Sequence, residues 1–342
     1  MFENFHGNPA VAAALEQMIA QDRIQQTILL DGPEGVGKAT LARRFAARLL
    51  GDSVKIENDD LSLPHNTAIV EEREKWPSEK RVEDPLLFAT HPDFVTFAPD
   101  GPLRQISIQQ MRLLKERAQF KPRRGSRRLF LIDHVDRAGE QAANSLLKTL
   151  EEPPDHLILV MTAENPYDLL PTIRSRAVSF HLAPLSGPEV REFVRARGLD
   201  HLERRVALSA GSLGMALSID LAAYDARREA MLALLEAASG AASFAAWARY
   251  SESIGARKQE KLEHYLKVLY VLLEDLLELQ HGGEIRNPDA GEALAGVSAR
   301  VRFDWIRAAV AKTDELMSLL RRNIQRSIAL DAMVIELRAL AG

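Results

Sequence analysis

The sequence predicts an α/β domain built on a parallel sheet with a phosphate-binding loop, followed by a region that stays helical to its end. Three observations carry this. Residues 27–30, 128–132 and 157–161 are short apolar runs, each closed by a polar residue (Asp31, Asp133 and Thr162), with amphipathic helical patterns between them. A G-x-x-x-x-G-K sequence, residues 32–38, follows the first of these runs and precedes the helical pattern of residues 41–46. After Ala183-Pro184-Leu185-Ser186-Gly187 the strand signals stop, and Pro188-Glu189-Val190 opens a helical stretch, so a domain boundary is expected near Pro184.

Composition sets the frame. With 342 residues the chain is too long for a single ordinary core and should divide into two or three domains. A formal charge of −4 excludes a surface built throughout for phosphate backbones, and any contact with DNA must then be local. The first six residues lack the basic and apolar segments of a secretory signal, and the apolar run 268–273 is far too short to span a bilayer, so a cytoplasmic protein without a membrane helix is expected. Cys is absent, which removes disulfides, thiol nucleophiles and thiolate zinc sites together, and the 9 His show no H-x-x-x-H spacing.

Taken in chain order, the first strand delivers the loop Gly32-Pro33-Glu34-Gly35-Val36-Gly37-Lys38. Glycines at 32, 35 and 37 let successive backbone N–H groups turn inward around phosphate oxygens, the following helix offers its positive end, and Lys38 adds a point charge. The residue after the lysine should carry a hydroxyl to hold magnesium, but it is Ala39; Thr40 lies about 100° further round the helix and does not point the same way. Residues 52–84 are acid-rich, carry Pro64 and Pro77, and show little apolar periodicity, which reads as a loop or irregular insertion. Between 112 and 128, Arg112, Lys115, Arg117, Lys121, Arg123, Arg124, Arg127 and Arg128 face a single acid, Glu116. Arg112, Arg123 and Arg124 are candidates for DNA phosphate contact, while residues 121–126 also read as a solvated turn. The second strand ends in Asp133, placed to hold magnesium, and the usual water-orienting Glu after it is His134. Residues 262–279 carry apolar side chains on more than one helix face, as in a helix buried in a bundle or against a partner.

The stretches Leu131-Ile132-Asp133-His134-Val135-Asp136-Arg137 and Ala143-Asn144-Ser145-Leu146-Leu147-Lys148-Thr149-Leu150-Glu151-Glu152-Pro153-Pro154 resemble the core of the clamp-loader subunits of bacterial DNA polymerase III. Thr162-Ala163-Glu164-Asn165-Pro166 resembles that family's first sensor, and Ser175-Arg176-Ala177 its Ser-Arg-Cys motif with Ala177 for the cysteine. The similarity runs from about residue 5 to 217, with a weaker echo in Arg321-Arg322-Asn323-Ile324-Gln325.

The resemblance implies an AAA+ nucleotide-binding domain over 1–183, a helical lid over 184–224 and an all-α collar domain over 225–342 that joins subunits into a hetero-oligomeric ring. It implies nucleotide-binding roles for Gly32, Gly35, Gly37, Lys38, Thr40, Asp133 and Thr162. The lid arginine that senses the γ-phosphate in hydrolysing subunits is replaced by Gly214. With Ala39, His134 and Gly214 altered together and Ser175-Arg176 intact, the delta prime type of subunit is expected: ATP held without hydrolysis, magnesium's seat in question, and Arg176 donated to the γ-phosphate of a neighbouring subunit. The implied partners are the delta and gamma/tau subunits, the sliding clamp and primer-template DNA. The family's four-cysteine zinc module would fall in residues 52–84, which have no cysteine, so no zinc is expected. Two other readings stand beside this one: an active ATPase motor subunit using Thr40 and His134, and a P-loop protein unrelated to replication.

Overall fold

The computed structural model describes residues 2, 5–256, 260–319 and 325–341. The chain forms two compact units, Met1–Leu199 with Ser209–Leu217, and Asp200–Leu208 with Ser218–Gly342. Among the described residues no helix is long and apolar enough to cross a membrane.

The first unit is organised by five parallel strands, β1 (Thr27–Asp31), β2 (Phe94–Phe97), β3 (Arg128–Ile132), β4 (Leu157–Ala163) and β5 (Val178–His181), in the order β2-β3-β4-β1-β5. Apolar runs rather than alternating ones are required because both faces are covered. Successive residues point to opposite sides: Leu29, Phe130, Ile132, Leu159 and Met161 join a core with the helices Ile108–Ala118 and Glu140–Glu151. Ile28, Leu30, Leu129, Leu131, Ile158 and Val160 join a second core with Pro9–Ala20 and Lys38–Leu50.

Two strands lie outside the sequence expectation. β5 is four residues long, mostly exposed, and forms one edge. β2 is equally short but buried, because its outer side is covered: Phe88 and Thr96 exchange backbone hydrogen bonds of 2.9 and 2.8 Å in an antiparallel bridge.

The expectation of an irregular insertion over 52–84 is also corrected. It holds three helices, Ser53–Glu57, Pro64–Glu74 and Ser78–Glu83. Their periodicity is faint because charged groups occupy interior positions. Arg43, fully buried on the phosphate-loop helix, pairs with Glu57 and Asp60. Arg73, also buried, binds Asp100 through two nitrogens at 3.0 and 2.8 Å, and Asp84 at 3.1 Å. Asn66 donates to the carbonyls of Asn58 and Asp60 at 2.7 and 2.8 Å. Only Val70, Leu86, Phe88 and Ala98 form an apolar cluster there. Among the described residues no cluster of His, Cys, Asp and Glu could hold a metal ion.

Beyond the sheet, Ser186 and Glu189 cap the helix Gly187–Ala196 reciprocally. The second unit is a helical bundle. Its central helix, Leu262–His281, buries Leu262, Leu266, Leu269, Leu273 and Leu276, and also Tyr265, Val268 and Leu272 on adjoining faces, as its broad apolar surface requires. The buried Trp247 and Trp305 satisfy their indole N–H groups on Asp331 Oδ1 (2.7 Å) and the Leu337 carbonyl (2.8 Å). Residues 321–324, which carry the weaker C-terminal echo, lie outside the described residues.

Candidate functional site

β1 lies between β4 and β5, and its end delivers the glycine loop at the carboxyl edge of the sheet, where open parallel sheets place ligands. Gly37 starts the helix Lys38–Leu50. The Lys38 ammonium is buried and donates to the carbonyls of Gly32 (2.6 Å) and Pro33 (2.7 Å). Burial pushes its pKa below the ordinary lysine value, against the opposing pull of Glu164, Asp133, Asp136 and Glu34.

Asp133 and Thr162 meet across adjacent strands. The Thr162 hydroxyl donates to Asp133 Oδ1 at 2.6 Å and accepts the backbone N–H of His134 at 2.8 Å. His134 sits in the left-handed region (φ 53°), and its Nδ1 is buried, 3.5 Å from Glu164 Oε1. Arg137 reaches the same Glu164 oxygen at 3.4 Å, and Asp136 Oδ2 accepts the Glu164 N–H at 3.0 Å. Glu164 and Asp136 are therefore members of this cluster that the sequence analysis did not single out. Their signal was position alone, since both lie just beyond strand ends.

Residues 212–215 approach the loop through their backbone and through Ser212 Oγ. Gly214 N donates to the Gly35 carbonyl at 2.9 Å. A Cβ at 214 would stand 2.9 Å from Gly35 Cα, so the space for a side chain at 214 is closed by direct main-chain packing.

These groups fit phosphate oxygens in part. The glycine loop, the helix start and the Lys38 ammonium form a cationic cradle, provided the ammonium exchanges its two carbonyls for phosphate. Ala39 has no side-chain oxygen to offer magnesium, and position 134 carries an imidazole ring and not a carboxylate. Thr40 is half-buried on the same helix.

Arg176 is elsewhere. It follows the short helix Pro171–Arg174, and its side chain is a third exposed. Its guanidinium donates to Glu151 Oε1 at 2.8 Å and to the Thr172 carbonyl at 2.9 Å.

The basic stretch is reduced by the structure. Arg128 is buried, donating to the carbonyls of Arg117 and Phe120 at 2.6 and 3.0 Å, with its guanidinium 5.1 Å from the centre of the Phe130 ring. Arg127 pairs with Asp22 at 2.7 Å. Residues 121–127 form a turn pinned by Asp93, which accepts the N–H groups of Arg123 and Arg124 at 2.7 Å each. The side chains of Arg112, Arg123 and Arg124 are exposed.

A parallel five-stranded sheet with its phosphate loop after β1, an Asp at the end of β3 and a helical segment closing on the loop define an AAA+ module. The family described as "DNA polymerase III, delta subunit" matches residues 7–186, more than half of the chain, and the chain belongs to this clamp-loader family. It is 32% identical over 189 residues to the DNA polymerase III subunit delta' of Pseudomonas aeruginosa, covering 54% of this chain and 52% of that one. Identity to subunit delta' of Bacillus subtilis is 26% over 281 residues, 81% and 79% of the two chains. Identity to subunit tau of Escherichia coli is 28% over 226 residues, 64% of this chain but 32% of that one. The matched regions thus span about a third of the tau subunit and about half of the Pseudomonas subunit.

Proposed function

We propose that this chain is the non-hydrolysing delta' subunit of a DNA polymerase III clamp loader, one that donates Arg176 to ATP held by a neighbouring gamma/tau subunit. The observation that carries this reading is a contrast within one module. The chain's own pocket has Ala39, His134 and the Gly35–Gly214 contact where hydrolysis needs a hydroxyl, a carboxylate and an arginine, while Arg176 stands exposed with hydrogens to spare. Arginine suits a trans-acting role because its planar fork stays charged and grips phosphate bidentately.

In this reading Gly32, Gly35, Gly37 and Lys38 hold ATP in place without cleaving it. The partners are the delta and gamma/tau subunits, the sliding clamp and primer-template DNA, the last met by Arg112, Arg123 and Arg124. An apolar stripe on the helix Arg326–Leu340 supports an assembling role for the second unit: Ile328, Ala332, Ile335 and Ala339 recur at helical spacing and are all exposed, the two isoleucines by 61% and 60%.

The test is the reconstituted loader with Arg176→Ala. DNA-stimulated ATP turnover and clamp placement should fall on the order of 10³-fold or more; unchanged turnover overturns the finger. One observation favours a second reading, an active ATPase, because Glu164 lies against His134 and could orient it as a base. That reading requires the isolated chain to hydrolyse ATP and to lose this in both Lys38→Ala and His134→Ala.

A further inference from the structure

We infer that Glu151 is the positioning residue for Arg176, holding its guanidinium at a fixed angle on the subunit's edge before any phosphate arrives. This rests on the finger reading above and adds the group that makes the finger effective.

Glu151 is the last residue of the helix Glu140–Glu151. A carboxylate is out of place there, because the carbonyl end of a helix is negative and favours cations. The chain nevertheless places an acid at this end, and Arg176 answers it at 2.8 Å. The second anchor comes from a different element, the Thr172 carbonyl at 2.9 Å, with Ser175 Oγ near the same nitrogen at 3.4 Å. Two anchors on separate elements fix the plane of a side chain that otherwise carries four rotatable bonds.

The hydrogen count leaves the finger usable. A guanidinium has five N–H groups; Nη1 serves Thr172 and Ser175, and Nη2 gives one to Glu151. Nε and one Nη2 hydrogen take no acceptor among the described residues, so donors remain for phosphate oxygens. Glu151 is half exposed and lines an open cleft with Lys115, Gln119 and Lys148. Water therefore weakens the ion pair, so it biases the orientation of Arg176 without sequestering its charge. Removing the bias should lower the catalysed rate rather than nucleotide affinity, because alignment matters most in the transition state.

The experiment uses the reconstituted loader and reads kcat and KM for ATP in DNA-stimulated turnover. Glu151→Ala should lower kcat about tenfold with KM unchanged. Glu151→Gln, which keeps an acceptor oxygen, should recover most of the loss. The double variant with Arg176→Ala should be no slower than Arg176→Ala alone. Thermal unfolding of Glu151→Ala should be unchanged or shifted upward, since an acid leaves a helix C-terminus; a lost rate therefore cannot be ascribed to lost folding. Full or raised kcat in Glu151→Ala, or a double variant slower by the whole Glu151 factor, overturns the positioning role while leaving the finger intact. An unchanged rate in Arg176→Ala overturns both.

Discussion

The backbone N–H of Gly214 donates to the carbonyl of Gly35 at 2.9 Å, with no side chain on either residue to keep lid and phosphate loop apart. Gly35 has φ +74°, and a Cβ there would overlap Ser212 Oγ and stand 3.0 Å from Met215 N. Both positions therefore require glycine, one for conformation and contact, the other for contact alone. Gly214→Arg is expected to push residues 212–215 off the loop. Overpacking of this kind costs about 1–3 kcal/mol. Urea unfolding should report that loss, and limited proteolysis should show faster cleavage near residues 209–217; an unperturbed lid would contradict the close packing.

Lys38 gives a pH-dependent prediction. Burial lowers its folded pKa below the ordinary value of 10.5. The unfolded chain then binds this proton more readily, so charging Lys38 opposes folding. The opposition is complete below the folded pKa and fades as pH rises to 10.5. Lys38→Met should therefore gain stability relative to the parent most at neutral pH, and the difference between the two should shrink toward pH 10.5. Paired denaturant titrations across that range check it; a difference that is flat or widens with pH refutes it.

How much of this was legible in sequence depends on where the interactions are local. The strands carrying Asp31, Asp133 and Thr162, and the loop from Gly32 to Lys38, were legible because each pattern lies within a few residues. β2 and β5 were not: each has four residues, and what makes Phe94–Phe97 a buried strand is Phe88 on its outer side, a contact that no periodicity announces. The helices within 52–84 escaped because Arg43 and Arg73, normally surface signals, are interior. At the site, the contact of Gly214 with Gly35 was not legible, because it joins residues 179 positions apart. The pairing of Arg176 with Glu151 spans 25 residues and two elements, and only coordinates bring it together.

The Arg73–Asp100 pair should be essential to the segment between β1 and β2. Both side chains are nearly buried, at 5% and 7% exposure, and the contact is bidentate. Removing the cation alone strands a buried carboxylate, at a cost of about 3–5 kcal/mol. Arg73→Ala should unfold or loosen residues 52–100 first, seen as accelerated hydrogen exchange at Phe88 and Thr96 while β3 and β4 stay protected. If Asp100→Asn in the Arg73→Ala background restores part of the stability, the stranded charge was the cause; if it adds to the damage, packing was.

Asp59 makes the opposite prediction for stability. It is fully buried, Oδ1 accepts the Thr90 N–H at 3.0 Å, and Oδ2 has no hydrogen-bond partner. Burial raises its pKa above the ordinary 3.8, outweighing the Thr90 hydrogen bonds and the attraction of Arg43. With a raised folded pKa the native state binds this proton more readily than the unfolded chain, so ionising Asp59 costs stability as pH rises through the folded pKa. Asp59→Asn keeps an oxygen for Thr90 and carries no charge. It should match or exceed the parent in urea unfolding at pH 7, with the advantage vanishing as pH falls below 3.8, where the parent's carboxyl is protonated in both states. An Asn variant less stable than the parent at pH 7, or an advantage that persists in acid, would mean that the Asp59 carboxylate is favoured in its site and that burial is not what governs it.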